Sequence, residues 1–229
     1  MDFGAFSNQV QLPDERGTGT FAASQIDTQF IAANNGTVAM AGMDVNILAR
    51  YKFVEIIARI AQSKYTNQQR AATTAEAVEK LMTEVILKKY KWEPWQDYRE
   101  EHCYTLEVND VLETNIAGIK GLIEYYYAPR KSYMKQDDFL RLITKDSNCQ
   151  IGEKEAVYCY GMSKMTIVNE LKQSKQYDKV ELPEMCEMIC RLADTKFKSA
   201  TGLSYAQKIE VLLDELFVVT GYKRKDVNV

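Results

Sequence analysis

One histidine, His102, stands in this chain of 229 residues, between Glu101 and Cys103. Zinc sites with two or more imidazoles and di-iron sites with paired Glu-x-x-His are therefore excluded within one chain. A Ser-His-Asp or Cys-His site would have to use His102, and its neighbours form no such motif, so the residue reads as structural. Cys186 and Cys190 sit at i, i+4, which places both thiols on one helix face. Metal or redox use would need more ligands nearby, and small half-buried side chains account for the pair. No CxxC pair, nucleophile elbow or phosphate loop is present; Gly17-x-Gly19 lacks a following Gly-Lys-Ser/Thr. Asp137-Asp138 and Glu100-Glu101 are adjacent acids that read as solvated helix ends, not a positioned acid/base pair. These residues predict no enzyme, no cofactor and no metal.

Bulk properties point the same way. Lys and Arg number 29 against 32 Asp and Glu, a net charge of -3, so no global field recruits nucleic acid. The Lys223-Arg224-Lys225 run is short and reads as a solvated end. No run approaches the roughly 18 apolar residues that span a bilayer, so no membrane is expected. The five cysteines are odd in number and lack a disulfide-framework spacing. With no secretory leader in MDFGAFSNQVQLPDERG, reduced thiols in the cytoplasm are the expectation.

The elements that would position any site are helices. KFVEIIARIAQSKY (Lys52–Tyr65) recurs as EMCEMICRLADTKF (Glu184–Phe197), sharing Glu55/Glu187, Ile57/Ile189, Arg59/Arg191, Ala61/Ala193 and Lys64/Lys196. Downstream, AEAVEKLMTEVI (Ala75–Ile86) lies over AQKIEVLLDELF (Ala206–Phe217), so the spacing predicts an internal duplication. Phe53, Ile56, Ile57, Ile60 and Ala61 fall at helical spacing, as do Met185, Met188, Ile189, Leu192 and Ala193. Glu55 with Arg59, and Glu187 with Arg191, are i, i+4 pairs. Thr73-x-x-Glu76 is a capping box that opens a second stripe. Between the copies, Val108 to Tyr126 predicts one helix of about five turns, QDDFLRLI a compact helix, and Glu153–Leu171 another. No alternating strand pattern of useful length occurs, and the predicted class is all-α.

The predicted organisation is an extended N-terminal arm over 1–24, a first lobe over 25–90 and a linker over 91–104. A second lobe over 105–222 and a basic tail over 223–229 complete it. The arm is rich in Gly, Ser, Thr and Asn. Its widely spaced Phe3, Phe6 and Phe21 suit an extended chain dropping rings into a partner's pockets. Trp92 and Trp95 beside Pro94 mark the linker, and with the three phenylalanines they are the candidate partner-binding residues. Tyr125-Tyr126-Tyr127 reads as helix core plus boundary.

The order of long helix, irregular loop, a short β-like step and an amphipathic helix resembles the EF-hand superfamily. In IEYYYAPRKSYMKQDDFLRLI, Met134 falls at the small strand position and Asp138 at the last loop ligand. In ELKQSKQYDKVELPEMCEMI, Val180 and Glu184 fill those places. A calcium loop needs oxygen donors at positions 1, 3 and 5. Counting back from Asp138 these are Tyr127, Pro129 and Lys131; from Glu184 they are Gln173, Lys175 and Tyr177. Asp146-x-Asn148-x-Gln150 comes closest to a donor run, but Ile151 and Val157 follow at positions 6 and 12. The hands are expected to be packing units without calcium, internally duplicated as helix–loop–helix pairs in two lobes.

LARYKFVEIIARIAQSKY, VNDVLETNIAGIKGLIEYYY, YMKQDDFLRLI and AVYCYGMSKMTIV further resemble EF-hand-like proteins of protist cilia and flagella. That resemblance implies a structural or adaptor protein of the axoneme, bound to tubulin or other axonemal proteins. The alternative is a calmodulin-like regulator that grips an amphipathic target helix, for which Met162, Met165, Met185 and Met188 would supply an adaptable surface.

Overall fold

The computed structural model describes residues 7, 12, 21–35, 50–89, 94–127 and 133–227. Among them regular structure is helical apart from one two-stranded antiparallel ladder. No helix among the described residues is long and apolar enough to cross a membrane. The chain divides into two compact units, residues 1–93 with 169–174, and residues 94–168 with 175–229.

The first unit contains α1 (Ala23–Asn35), α2 (Arg50–Ala61) and α3 (Thr74–Leu81). Wider π turns extend α2 through Gln62–Thr66 and α3 through Met82–Ile86. The apolar stripe of α2 goes inward at Ile56, Ile57, Ile60 and Ala61, against Ala77 and Leu81 of α3 and Ile26 of α1. Phe53, one turn earlier, departs from the stripe and is 37% exposed. Thr73 caps α3 by accepting from the Glu76 amide at 3.2 Å, and the Glu76 carboxylate accepts from the Ala72 amide at 2.8 Å. The hydrogen bond from Lys80, with the Ala72 amide, holds the Glu76 carboxyl below its ordinary range. Residues 169–174 group here through Glu170, which takes the Arg50 backbone N–H at 2.9 Å and Nε at 3.0 Å.

The second unit runs α4 (Trp95–Tyr98), α5 (Leu106–Thr114), α6 (Ile116–Tyr125), β1 (Met134–Lys135), α7 (Gln136–Arg141), α8 (Glu153–Ser163), β2 (Lys179–Val180), α9 (Leu182–Lys196) and α10 (Tyr205–Phe217). A π turn over Arg99–Cys103 prolongs α4, and another over Leu142–Asp146 prolongs α7. The central helix is α9. Met185, Met188, Ile189, Leu192 and Ala193 are all fully buried, as their spacing requires, and α9 packs against α8, α10 and α6. Ser204 caps α10 by accepting from the Gln207 amide at 3.2 Å. The α10 stripe of Ile209, Leu212, Leu213 and Leu216 is fully buried, and this helix packs on α9, α5 and α6.

Three boundaries differ from the sequence reading. The long helix over 108–126 breaks at Asn115, which leaves α-helical geometry at φ -107°, ψ 12°. Its buried carboxamide donates to the Lys225 carbonyl at 3.0 Å and accepts from the Lys225 amide at 2.8 Å. That contact pins the tail backbone at Lys225, while the Lys223 and Lys225 side chains stay exposed. Arg224 within it pairs with Glu210 at 3.2 Å and Asp214 at 3.0 Å. Beside the break, a Cβ on Gly118 would lie 2.5 Å from the Tyr222 ring, so glycine lets the tail approach α6. The helix begun at Glu153 stops at Ser163 rather than Leu171, because Lys164 turns extended at ψ 130°. Finally, Trp95–Cys103 within the expected linker is helical, and Tyr98 and Cys103 pack on the second unit's core.

Candidate functional site

In the second unit two loops meet through the short ladder. Met134 pairs with Val180, and Lys135 with Lys179. Each loop then enters a helix through a side chain three residues past the cap. The Lys135 amide donates to Asp138 Oδ2 at 3.0 Å, and the Glu181 amide donates to Glu184 Oε2 at 3.1 Å. Asp138 and Glu184 thus satisfy helix N-terminal amides that would otherwise lack partners.

Glu184 does more than cap. The Met165 amide donates to its Oε1 at 3.0 Å, and the Lys164 ammonium to its Oε2 at 2.5 Å. The same ammonium donates to the Lys179 carbonyl at 2.5 Å. Only 9% of the Lys164 side chain and 4% of the Glu184 side chain are exposed. Nearby, the Tyr160 hydroxyl donates to the Tyr177 carbonyl at 2.7 Å. The Lys164 ammonium lies 5.6 Å from the Tyr160 ring centre. Burial pushes the Tyr160 phenol well above its usual range. Among the described residues no group of three or more His, Cys, Asp or Glu is placed to hold a metal. Asp146, of the near-miss donor run, accepts from the Tyr126 hydroxyl at 2.8 Å and pairs with Arg141 at 3.0 Å.

A second polar cluster joins α4 to α9. The Glu187 carboxylate takes Arg99 Nε at 2.8 Å and Arg191 Nε at 2.9 Å. The Arg191 guanidinium stacks 4.2 Å from the Tyr98 ring centre, and Arg99 sits 4.7 Å from that of Trp95. Tyr98 and Tyr205 share a hydroxyl hydrogen bond, and Tyr205 also donates to the Cys190 carbonyl at 3.1 Å. His102 stacks on Tyr205 with centroids 5.0 Å apart. Burial raises both phenols far out of the physiological range, so neither supplies a base at neutral pH.

The thiols divide by environment. Burial pushes Cys149 and Cys186 up to about 11, and raises Cys159 as well. Cys190 is raised by the hydrogen bond it shares with Cys103 and then by burial. That hydrogen bond, helped by Arg191 and Arg99, lowers Cys103 against the opposing effects of burial and Glu187. Both clusters therefore hold helices together.

The structure separates the candidate partner residues. Phe21 is 2% exposed in the first unit's core, with the Lys64 ammonium 5.2 Å from its ring centre. Trp95 in the second unit is 43% exposed. Phe3, Phe6 and Trp92 lie outside the described residues. Of the methionines that would serve a calmodulin-like surface, Met185 and Met188 are core and Met165 is 48% exposed. Sequence reasoning missed Lys164 and Arg99, whose partners lie 20 and 88 residues away along the chain. Glu184, singled out at the last ligand position, was the signal that could have led to Lys164. Comparison with protein-family models, with curated proteins and with solved structures finds no match to this chain.

Proposed function

We propose that this chain is a non-enzymatic structural or adaptor protein of a cytoskeletal assembly, built on EF-hand-like pairs that have given up calcium. The observation that carries this reading is the ladder. Met134 and Val180, placed at the strand position of two hands by sequence, face each other across it. Asp138 and Glu184, placed at the last ligand position, both serve as helix caps. The resemblance to ciliary EF-hand-like proteins supports the axoneme as the assembly, with tubulin or other axonemal proteins as partners.

The calmodulin-like alternative needs an open apolar groove for a target helix. Here α10 lays its buried stripe along α9 and α5, and Met185 and Met188 are sealed in the core. The second unit thus supplies its own amphipathic helix, which favours the structural reading. Calcium titration tests it, since the loop donors that would replace the ion's hydration shell are missing. Calorimetry and tryptophan fluorescence are expected to stay flat up to millimolar calcium. A submillimolar transition would refute the proposal. Incorporation of a tagged copy into detergent-extracted axonemes tests the assembly, and a wholly extractable copy would count against it.

A further inference from the structure

We infer that the loop leading into α9 keeps its cation seat and fills it permanently with the ammonium of Lys164. The inference rests on the EF-hand-like reading above and deepens it. In a calcium loop the seventh residue offers its backbone carbonyl and the twelfth its carboxylate. With Glu184 as the twelfth residue, Lys179 is the seventh. Those two groups, the Lys179 carbonyl and the Glu184 carboxylate, are the ones that Lys164 Nζ binds, each at 2.5 Å.

The surroundings fit a built-in cation. The Lys164 side chain is 9% exposed and that of Glu184 is 4%, so the pair is nearly closed to water. The Tyr160 ring beside the ammonium adds a cation–π contact at 5.6 Å. A buried carboxylate left without a countercharge is strongly destabilising, which gives the lysine a role beyond packing. Its position at the end of α8 also explains why that helix stops at Ser163: the backbone turns extended at Lys164 as the side chain reaches into the loop. The tether joins the end of α8, strand β2 and the first turn of α9. In a calcium-regulated hand the metal ties the loop strand to the first turn of the exiting helix, and its loss releases that tie. Covalent attachment makes the seat's occupancy independent of calcium. The second unit is held in its cation-loaded form at all times, and the surface it presents to partners does not switch.

A charge-coupling experiment on the full chain tests this. Lys164→Ala is expected to lower the thermal midpoint by roughly 10 °C, from the cost of breaking a buried pair in a protein of this size. Glu184→Gln should cost much less when introduced into Lys164→Ala than into the parent, because no orphaned charge then remains. Ethylammonium chloride should restore several degrees to Lys164→Ala, whereas tetramethylammonium chloride at equal ionic strength, with no N–H to donate, should not. Additive effects of the two substitutions, or equal responses to the two salts, would overturn the inference. Should Lys164→Ala fail to fold, a folded double variant establishes the coupling and an unfolded one refutes it. The two readings fail separately. A calcium-responsive parent sinks the calcium-free proposal while leaving the coupling intact. A calcium-silent parent with additive substitutions sinks only the lysine tether.

Discussion

Glu55–Arg59 and Glu187–Arg191 are the same pair at matching places in two similar helices, at 2.7 and 2.8 Å respectively. Their surroundings differ completely. The first pair is 37% and 40% exposed, where Coulomb attraction is screened and the side chains give up entropy to meet. The second is 6% and 5% exposed, with Arg99 as a second cation on the same carboxylate. Arg59→Ala is therefore expected to change stability by less than about 1 kcal/mol. Arg191→Ala should cost about 3–5 kcal/mol, since it also removes the stacking on Tyr98. Urea unfolding of the two variants measures both, and equal losses would refute the difference in burial.

At the scale of elements, two helices begin on hydroxyl caps. Thr73 opens α3 and Ser204 opens α10, each accepting from the amide three residues on at 3.2 Å. Thr73→Ala and Ser204→Ala should each lower stability by about 1 kcal/mol, with the fold retained in circular dichroism. No loss in either would mean that packing alone sets that helix start. The Thr73 cap was legible beforehand because it spans only four consecutive residues, although the expected box is half formed, Glu76 turning back to the Ala72 amide and not to that of Thr73. The end of α8 was not, because it answers to Glu184 across the loop.

For the whole molecule, the N-terminal segment bears on stability as well as on partners. Leu12 and Phe21 are fully or almost fully buried in the first unit's core, and the Leu12 carbonyl accepts from Lys64 at 3.1 Å. Phe21→Ala should cost about 3–5 kcal/mol, and deletion of residues 1–23 should lower the thermal midpoint. Unchanged stability with lost incorporation into the native assembly would instead return the whole arm to a docking role. Alkaline pH should also weaken the fold. Cys149 and Cys186 ionise at about 11 when folded, against ~8.5 in the unfolded chain. The folded state then holds more protons, so stability is full below the unfolded value and falls as pH rises through about 11. Cys103, lowered in the fold, works in the opposite direction and is outnumbered. Thermal midpoints from pH 7 to pH 11 check the sign; a midpoint rising with pH would contradict it.

The sequence by itself determined whatever depends on near neighbours: the all-helical class, the inward stripes of α2, α9 and α10, the Thr73 cap, and the strand positions Met134 and Val180. The class, the stripes and the cap follow from a period of 3.6 residues or from a hydrogen bond spanning three or four, and the two strand positions follow from the EF-hand resemblance. Only the tertiary structure decided where helices stop and which charges are buried. Asn115 breaks a continuous apolar stripe because its carboxamide meets the Lys225 backbone 110 residues later. Glu187 is sealed while Glu55 is wet because Arg99 and Tyr98 close over α9. Lys164 leaves its helix for a carbonyl and a carboxylate beyond the loop. A buried polar group must find a partner or incur its desolvation cost. Where that partner is distant along the chain, local periodicity carries no trace of it.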